Sequence, residues 1–251
     1  MGCFTGKRAL VLGGSGGIGK DLCRQLAKSG ASLTIHGGHN SEAFDSFTAE
    51  IQQISRTAGN TDRVQKLIIH FSAEDFITLC SQELNSQLKQ ADIVCICFGP
   101  FVQKSLTDTT LYDWQSMAVL NYALPGFCLS SALPNMVKKR WGRILLFGGT
   151  RTYSINGFKT NAAYAGAKTG VCSLVRSTAY AYADYGITCN AVLPGFTKTE
   201  YISEEAAEKL QERIPGKKLI STGTIAKSGM FLLESPEMNG ILMNVDCGWN
   251  G

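Results

Sequence analysis

The chain has 251 residues, 44% of them hydrophobic, and a formal net charge of +4 that is spread along its length. This length is enough for one large core. Because no linker-like tract, charge block or internal repeat divides the sequence, we expect a single domain over residues 1–251. The longest basic run covers only residues 138–140, so the basic stripe of a dedicated nucleic-acid surface is not expected.

The N-terminal segment lacks the apolar stretch and cleavage pattern of a signal peptide, and no segment is expected to supply the ~20 apolar residues that span a bilayer. We therefore expect a cytoplasmic protein without membrane contact. The nine cysteines lie mostly in apolar segments and none has zinc-finger spacing. They are interpreted as buried thiols that pack as small hydrophobic side chains, and no metal site is expected.

Short apolar strands alternate with helical patterns along the whole chain. The predicted strands are, in order, RALVLGG, SLTIH, KLIIHF, DIVCICF, GRILLFGG, ITCNAVLPG and GILMNVD. The predicted helices cover residues 17–29, 41–58, 73–89, about 111–138, about 160–184 and about 223–234. This alternation indicates a doubly wound α/β fold: a seven-stranded parallel sheet with helices on both faces. The ligand site of such a sheet lies at the carboxyl ends of its strands.

A glycine-rich turn follows the first strand, where LGGSGGIGK places Gly13, Gly17 and Gly19 before an amphipathic helix. Glycine permits a tight turn and lets backbone N–H groups approach a pyrophosphate at the positive end of the helix. A strand-to-helix turn without a ligand can also use glycine. The position directly after the first strand favours a nucleotide site, in which Ser15 and Ile18 would also take part.

The end of the second predicted strand, IHGGHN, contains no acid. In NAD-binding proteins a carboxylate at this place accepts the ribose hydroxyls, and it would repel a 2′-phosphate. His36, together with His39, Asn40 and Ser41, could instead donate to that phosphate, so NADP (as NADPH) is favoured over NAD. Exposed turn histidines without such a role remain the alternative, because the arginine that usually binds a phosphate is missing.

The stretch AYAGAKTG places Tyr164 and Lys168 four residues apart, on one face of a predicted helix. An ammonium close to a phenol lowers its pKa from ~10 toward neutral, which makes a usable general acid. The spacing alone also fits an ordinary packed helix face. Its place after the fifth strand of a nucleotide-binding fold favours the catalytic interpretation.

From about residue 6 to 250 the chain resembles the short-chain dehydrogenase/reductase family. The resemblance is carried by GGSGGIG, by Asn121 in VLNYALPG, and by YAGAK, NAVLPGFTKT and GILMNVDCGW. Within the family it is most similar to 3-oxoacyl-(acyl-carrier-protein) reductases and related carbonyl reductases. The resemblance implies a Rossmann fold, reversible NADPH-dependent reduction of a carbonyl to an alcohol, a small-molecule or acyl-thioester substrate, and a homotetramer or dimer.

By this resemblance Tyr164 would protonate the carbonyl oxygen, Lys168 would hold the nicotinamide ribose, and Asn121 would position a water for proton relay. A helix kink or a capping group is the alternative role of Asn121. The resemblance extends the cofactor site, beyond the glycine-rich turn, His36, Tyr164 and Lys168, to Gly99, Pro194, Gly195, Thr197 and Thr199.

Several positions depart from the family pattern. Leu12 replaces a threonine, ICFG at residues 96–99 replaces Asn-Asn-Ala-Gly, and His70 replaces an adenine-side aspartate. Gly149 stands where the family places its catalytic serine.

The hydroxyls nearest in sequence to Gly149 belong to Thr150, Thr152 and Ser154. We predict that Thr150 is the second hydrogen-bond donor to the substrate oxygen. The alternative function is a catalytically weakened nucleotide-binding protein that acts as a sensor or as a subunit of an assembly.

The polar stretch near residues 199–218 is predicted to cover the substrate cleft. An acyl-carrier-protein partner would need a basic patch near that cleft. Lys104, Arg151, Arg176 and Lys198 are its candidate members.

Overall fold

A computed structural model of the chain describes residues 2–62, 64–79, 83–200 and 202–249. Its strands are β1 Arg8–Leu12, β2 Ser32–Gly37, β3 Gln65–Ile68, β4 Ile93–Ile96, β5 Gly142–Phe147, β6 Ile187–Pro194, β7 Thr197–Lys198, β8 Ile220–Ser221 and β9 Leu242–Val245. Seven of them form one parallel sheet in the order β3-β2-β1-β4-β5-β6-β9. The predicted seven-stranded parallel sheet is confirmed, while β7 and β8 form a separate two-stranded pair.

The helices are α1 Gly17–Lys28, α2 Glu42–Thr57, α3 Phe76–Leu79, α4 Glu83–Leu88, α5 Leu111–Ala118, α6 Leu124–Lys139, α7 Ala162–Tyr182, α8 Glu204–Arg213 and α9 Thr222–Glu234. A π-helical turn, Val119–Ala123, joins α5 to α6, and a 3-10 turn, Ala183–Tyr185, follows α7. The segment predicted as one helix over 73–89 contains α3 and α4, and residues 80–82 between them lie outside the described residues.

Helix α8 was not predicted, because its sequence EEAAEKLQER has only one residue, Ala207, that the fold buries. Such a helix carries almost no apolar stripe for a sequence pattern to reveal. Its start is capped locally, since the Ser203 side chain accepts a hydrogen bond from the backbone N–H of Ala206.

Two apolar cores lie on opposite faces of the sheet. Alternate residues of β1 point to opposite sides: Leu10 and Leu12 join the core under α4, α6 and α7, whereas Val11 joins the core under α1, α2 and α9. Both faces are covered, which explains why the strands are apolar throughout. The thiols of Cys23, Cys95, Cys128, Cys172 and Cys189 are buried, as the interpretation of the cysteines required.

The continuous helix from Leu111 to Lys139 corrects one expectation. Its most apolar window has a mean hydropathy of 1.3, so by length and composition this segment is apolar enough to cross a membrane. However, 56% of that window is buried inside the fold. The apolar character of the helix is accounted for by packing against the sheet and α7.

The strand order reverses direction between β1 and β4, which are neighbours at the centre of the sheet. In an open parallel sheet, the helices that follow two such strands lie on opposite faces, and a crevice opens between the strand ends. Several of the predicted site residues, among them Gly13, Gly99 and Thr150, lie in the loops at this end of the sheet.

Candidate active site

The glycine-rich turn after β1 is packed too closely for side chains. Gly13 and Gly17 have φ values of +73° and +45°, in the left-handed region. A Cβ atom on Gly13 would lie 2.7 Å from the backbone nitrogen of Phe98, and one on Gly19 would lie 2.1 Å from the carbonyl oxygen of Gly13. The turn therefore brings backbone against backbone, as a site that receives a phosphate with its N–H groups requires.

The turn opens into a cleft of about 390 Å³ at the carboxyl ends of β1, β2 and β4. Helix α1 points its N-terminus into this region, its N-cap Gly16 has no side-chain cap, and its first turn contains no acid. Seven of the predicted cofactor residues line the cleft: Gly13, Ser15, Gly17, Ile18, His36, Gly99 and Thr199.

Three more of the predicted cofactor residues, Pro194, Gly195 and Thr197, lie at the end of β6 and directly after it, and they are held by local hydrogen bonds. The N–H of Gly195 donates to the carbonyl of Val245, and the hydroxyl of the buried Thr197 donates to the carbonyl of Gly195 at 3.0 Å. The carbonyl of Pro194 accepts the hydroxyl of Thr150. These three residues are not among those that line the 390 Å³ cleft, and their cofactor roles stay predictions.

Tyr164 and Lys168 lie in the first two turns of α7, as predicted. The Lys168 ammonium is buried, donates to the carbonyl of Phe147 at 2.9 Å, and lies 5.8 Å from the centre of the Tyr164 ring. Phe147 is the last residue of β5, so this bond fixes α7 to the carboxyl end of the sheet, where the cleft opens.

The prediction that Lys168 lowers the pKa of Tyr164 is wrong. Burial raises the pKa of Tyr164 to about 12 and lowers the pKa of Lys168 to about 8. Desolvation penalises the charged form of both groups, and here it outweighs their mutual attraction across 5.8 Å. The phenol consequently keeps its proton at neutral pH, which is the state that a proton donor needs.

Asn121 lies in the π-helical turn and is completely buried. Its side-chain nitrogen donates to the carbonyl of Pro100 at 3.0 Å, whereas its oxygen Oδ1 has no hydrogen-bond partner. A Cβ on Gly99 would lie 2.4 Å from this oxygen and 3.1 Å from the Lys168 ammonium. Asn121 thus holds the loop after β4, as the capping alternative proposed, and also presents an unsatisfied acceptor close to the ammonium.

Gly149 faces the phenol directly. A Cβ at this position would lie 3.2 Å from Cε1 and 3.4 Å from the hydroxyl oxygen of Tyr164. A serine side chain at this position would lie next to the phenol, which fits the predicted correspondence of Gly149 to the family's serine; that correspondence stays a prediction.

The three neighbouring hydroxyls are engaged elsewhere. Thr152 is buried and exchanges two hydrogen bonds with the backbone of Gly149. The hydroxyl of Ser154 is exposed and accepts from Asn156 at 2.9 Å. Thr150, the predicted donor, is half-buried and donates to the Pro194 carbonyl at 3.0 Å. The fold therefore brings Tyr164, Lys168 and Asn121 together, but it directs the Thr150 hydroxyl to Pro194.

The prediction that His36 donates to a 2′-phosphate is wrong. The ring is 1% exposed; its Nδ1 accepts the N–H of Gly13 at 3.0 Å, and its Nε2 lies 2.9 Å from the carbonyl of Ile69. This pattern uses both ring nitrogens of a neutral imidazole. Burial lowers the pKa of His36 to about 4. The ring connects the turn after β1 to the end of β3 and has no proton left for a ligand.

Aromatic rings surround His36 on the cleft side. Its ring centre lies 4.9 Å from that of Phe71 and 5.9 Å from that of Phe98, and the two phenylalanines are 5.3 Å apart. Phe98 belongs to the ICFG segment that departs from the family pattern. The substitution was visible in the sequence, but its partners, which lie in β2 and after β3, were not.

Two further residues were missed. The Phe101 ring meets that of Tyr164 edge to face, with centres 4.9 Å apart, and is 58% exposed beside it. Glu200 reaches the first residue of α1, where its carboxylate accepts the N–H of Gly17 at 2.9 Å. Glu200 and Gly17 are 183 residues apart in the chain, so no local sequence pattern could have indicated this contact.

A family model described as short chain dehydrogenase matches residues 7–210, which is most of the chain. The chain belongs to the short-chain dehydrogenase family. It is therefore an oxidoreductase of that family, and members of the family bind NAD(P).

Similar members are known across bacteria. A 3-oxoacyl-(acyl-carrier-protein) reductase of Synechocystis is 29% identical, and the alignment covers 99% of this chain and 98% of that protein. A D-beta-hydroxybutyrate dehydrogenase of Rhizobium meliloti is 23% identical, with 97% and 98% covered. A solved dehydrogenase/reductase of Sinorhizobium meliloti superimposes with a TM-score of 0.80 at 25% identity over 99% of this chain and 96% of that one.

The residues of this short-chain dehydrogenase fit a dinucleotide. Gly13 and Gly19 leave no space for side chains in the turn, so a phosphate can approach its backbone closely, and the unpartnered Oδ1 of Asn121 next to the Lys168 ammonium can accept from a hydroxyl or a water. When bound, the nicotinamide supplies the hydride that no amino-acid side chain can provide.

Proposed function

We propose that this short-chain dehydrogenase reversibly reduces a carbonyl to an alcohol with NADPH. One observation carries the proposal: the protonated phenol of Tyr164, the ammonium of Lys168 and the unsatisfied oxygen of Asn121 converge next to a glycine-rich turn that fits a pyrophosphate. An acid, a cation and an acceptor around one point are the groups that proton transfer to a developing alkoxide needs.

In the proposed mechanism Tyr164 donates its proton to the carbonyl oxygen as that oxygen gains negative charge. The Lys168 ammonium, held by the Phe147 carbonyl, keeps two protons for the hydroxyls of the cofactor ribose and stabilises the phenolate that remains. Lys168 then passes a proton to the phenolate and regains one from a water that Asn121 Oδ1 holds, which restores both groups. The edge of the Phe101 ring shields the phenol on its open side.

Thr150 is our proposed second donor to the substrate oxygen, in the role of the absent serine. Its hydroxyl is the most available of the three candidates, because that of Thr152 is buried between the N–H and the carbonyl of Gly149 and that of Ser154 is at the surface. Thr150 would exchange its bond to the Pro194 carbonyl for one to the substrate oxygen, which carries more negative charge in the transition state.

The residues around Gly38, and not His36, support a preference for NADPH over NADH. Residues 36–41 contain no carboxylate. The exposed rings of His39 and His70 lie 4.8 Å apart, and the Lys66 ammonium bonds to Asn40 at 2.8 Å and also pairs with Asp45. A 2′-phosphate would find donors here, so we propose at least several-fold tighter binding of NADPH than of NADH. Replacement of His39 by aspartate would reduce that ratio, and equal affinities in the unmutated protein would contradict the proposal.

The substrate is proposed to be a small carbonyl compound, with 3-oxoacyl thioesters among the candidates. One similar protein is named as a 3-oxoacyl-(acyl-carrier-protein) reductase and another as a D-beta-hydroxybutyrate dehydrogenase. Of the basic residues that could receive an acyl carrier protein, Lys104 pairs with Asp113 at 2.6 Å and Lys198 pairs with Glu204 at 3.2 Å. Their charges are partly neutralised, which favours a free small molecule over a carrier-bound one. The segment 199–218 is proposed to cover the substrate.

The assembly is proposed to be a homotetramer or dimer in the cytoplasm, without membrane or nucleic-acid partners. Large apolar side chains are exposed on α5, the π-helical turn and α7, among them Leu111, Tyr112, Trp114, Tyr122 and Tyr180. Such a surface is unusual for a monomer. Light scattering that detects only monomer at micromolar concentration would contradict this part of the proposal.

The decisive experiment follows cofactor absorbance with the purified protein. NADPH and NADH are each tested with 3-oxoacyl thioesters, sugars, steroids and quinones. Carbonyl-dependent oxidation of NADPH supports the proposal. Tight NADPH binding without turnover of any substrate would instead favour a weakened nucleotide-binding protein, an alternative that the missing side chain at Gly149 supports.

A further inference from the structure

The N-terminus of α1, where the cofactor pyrophosphate would lie, is already in contact with an acidic side chain of the same chain. Glu200 Oε1 accepts the backbone N–H of Gly17, the first residue of α1, at 2.9 Å. The Lys20 ammonium, one turn along the helix, lies 3.9 Å from the same oxygen. Glu200 follows Thr199, which lines the cleft.

This contact satisfies a need of the helix. The first N–H groups of an α-helix have no partner within it, and the helix dipole favours negative charge there. In α1 the N-cap Gly16 has no side chain and the first turn contains no acid. Glu200 supplies both the acceptor and the charge from a distant part of the chain.

We infer that Glu200 is a tethered anion that competes with the cofactor pyrophosphate for the N–H of Gly17 and thereby sets cofactor affinity. The inference rests on the proposed function in taking a dinucleotide as the ligand. A carboxylate and a phosphate cannot both accept this N–H at hydrogen-bond distance, and their like charges repel at such separation. The cofactor therefore has to displace the Glu200 side chain.

Displacement has two consequences for neighbouring residues. Lys20 loses the carboxylate that lies 3.9 Å away and becomes available to the pyrophosphate. Thr199, which lines the cleft, is the residue directly before Glu200. The backbone at Thr199 is therefore coupled to whether the N-terminus of α1 binds the Glu200 carboxylate or a phosphate. The competition applies equally to NADPH and NADH, because both contain the same pyrophosphate.

The test compares the unmutated protein with Glu200→Gln and with Glu205→Gln as the control. Glutamine keeps the size of the side chain and removes its charge. Glu205 is the second residue of α8 and pairs with Lys209 at 2.5 Å, so its replacement changes the net charge equally without touching α1. Circular dichroism and gel filtration establish that all three proteins are folded.

Two binding measurements are made. Fluorescence titration gives the Kd of NADPH and of NADH, and thermal unfolding at increasing inorganic pyrophosphate gives the Kd of the anion alone. For Glu200→Gln we expect all three Kd values to fall by a similar factor of about five- to tenfold, the range of a charge at a helix terminus plus relief of repulsion. For Glu205→Gln we expect a change below about twofold.

Each outcome separates this inference from the proposed function. Unchanged or weaker pyrophosphate and dinucleotide binding by Glu200→Gln overturns the inference, even where the unmutated protein oxidises NADPH with a carbonyl substrate. Tighter pyrophosphate binding by Glu200→Gln, in a protein for which neither variant binds a dinucleotide, upholds the competition at Gly17 and overturns the proposed function instead. An equal gain in the Glu205→Gln control also overturns the inference, because it assigns the effect to net charge.

Discussion

The candidate active site has two halves, which differ in how completely the fold satisfies their buried polar groups. The polar half contains Asn121, Tyr164 and Lys168, and in it a buried oxygen of Asn121 has no partner. The aromatic half contains His36, Phe71 and Phe98, and there both nitrogens of the buried imidazole are bonded. Unsatisfied buried polar groups cost free energy. The half with an unsatisfied polar group is therefore the one that can bind and act on a ligand. The half whose buried polar groups are all hydrogen-bonded forms a wall of the site.

The largest expected effect concerns the polar half. Replacement of Tyr164 by phenylalanine removes the one proton that the phenol holds at neutral pH, and positioned proton transfer contributes 10²–10⁴-fold. We expect turnover of any accepted carbonyl substrate to fall about 10³-fold, with the Kd of NADPH within about twofold of the original. Steady-state kinetics and fluorescence titration measure the two quantities. A variant that keeps its activity would remove Tyr164 from the mechanism.

The second prediction concerns the hydrogen-bond donor that would act on the substrate oxygen together with Tyr164. Loss of one oxyanion donor costs about 10²–10³-fold in turnover, so Thr150→Ala should fall by at least about 10². Gly149→Ser should restore much of that loss in the double variant, since its Cβ would lie 3.4 Å from the Tyr164 hydroxyl. Gly149→Ala is the matched control, with the same Cβ and no hydroxyl. Full activity of Thr150→Ala would show that Thr150 is not the donor.

The third prediction uses the depressed pKa of Lys168. The folded protein releases this proton at about pH 8 and the unfolded chain at about 10.5. Between these values the unfolded chain holds the extra proton, so stability rises with pH. From pH 7 to pH 10 the unfolding free energy of the unmutated protein, relative to Lys168→Met, should rise by about 3 kcal/mol.

Urea unfolding of both proteins at the two pH values measures the difference. The variant also lacks the bond to the Phe147 carbonyl, but that loss is the same at each pH and cancels. A difference that stays constant with pH would mean that the ammonium is solvated and that the polar half is less enclosed than the geometry indicates.

The smallest effect concerns the aromatic half and has the opposite direction. Burial lowers the pKa of His36 from 6.5 to about 4. Between these two pH values the unfolded chain binds a proton at His36 and the folded protein does not. Stability contributed by this histidine is complete above pH 6.5 and is lost as the pH falls toward 4. From pH 7 to pH 5 the unmutated protein should lose about 2 kcal/mol more than His36→Asn, measured by urea unfolding. Equal losses would mean that His36 protonates freely and that the aromatic half is open to solvent.

What the sequence could predict was determined by short-range geometry. The seven strands are continuous apolar runs, and a sheet covered on both faces requires such runs. Tyr164 and Lys168 are four residues apart, so any α-helix places them on one face. Gly149 was predicted to replace the family's serine because of its position after β5, and its close approach to the phenol fits that prediction.

What the sequence could not predict depended on partners far along the chain. His36 was expected to face a ligand because it ends a strand, but Gly13 and Ile69, from two other strands, occupy its nitrogens. The pKa of Tyr164 was expected to fall because Lys168 is near, but its value depends on how much water the whole fold excludes. Burial and long-range pairing are properties of the completed structure, and no window of sequence contains them.

The π-helical turn Val119–Ala123 has a consequence for how this chain can change over evolutionary time. Such a turn contains one residue more than the α-helix it interrupts, and each residue rotates a helix by about 100°. Deletion of that residue would displace Asn121 and would also rotate the apolar side of α6 away from the sheet; that side consists of Cys128, Leu129, Ala132, Leu133 and Met136. A descendant that abandoned catalysis would therefore still retain the extra residue, because the packing of α6 preserves it independently of the reaction.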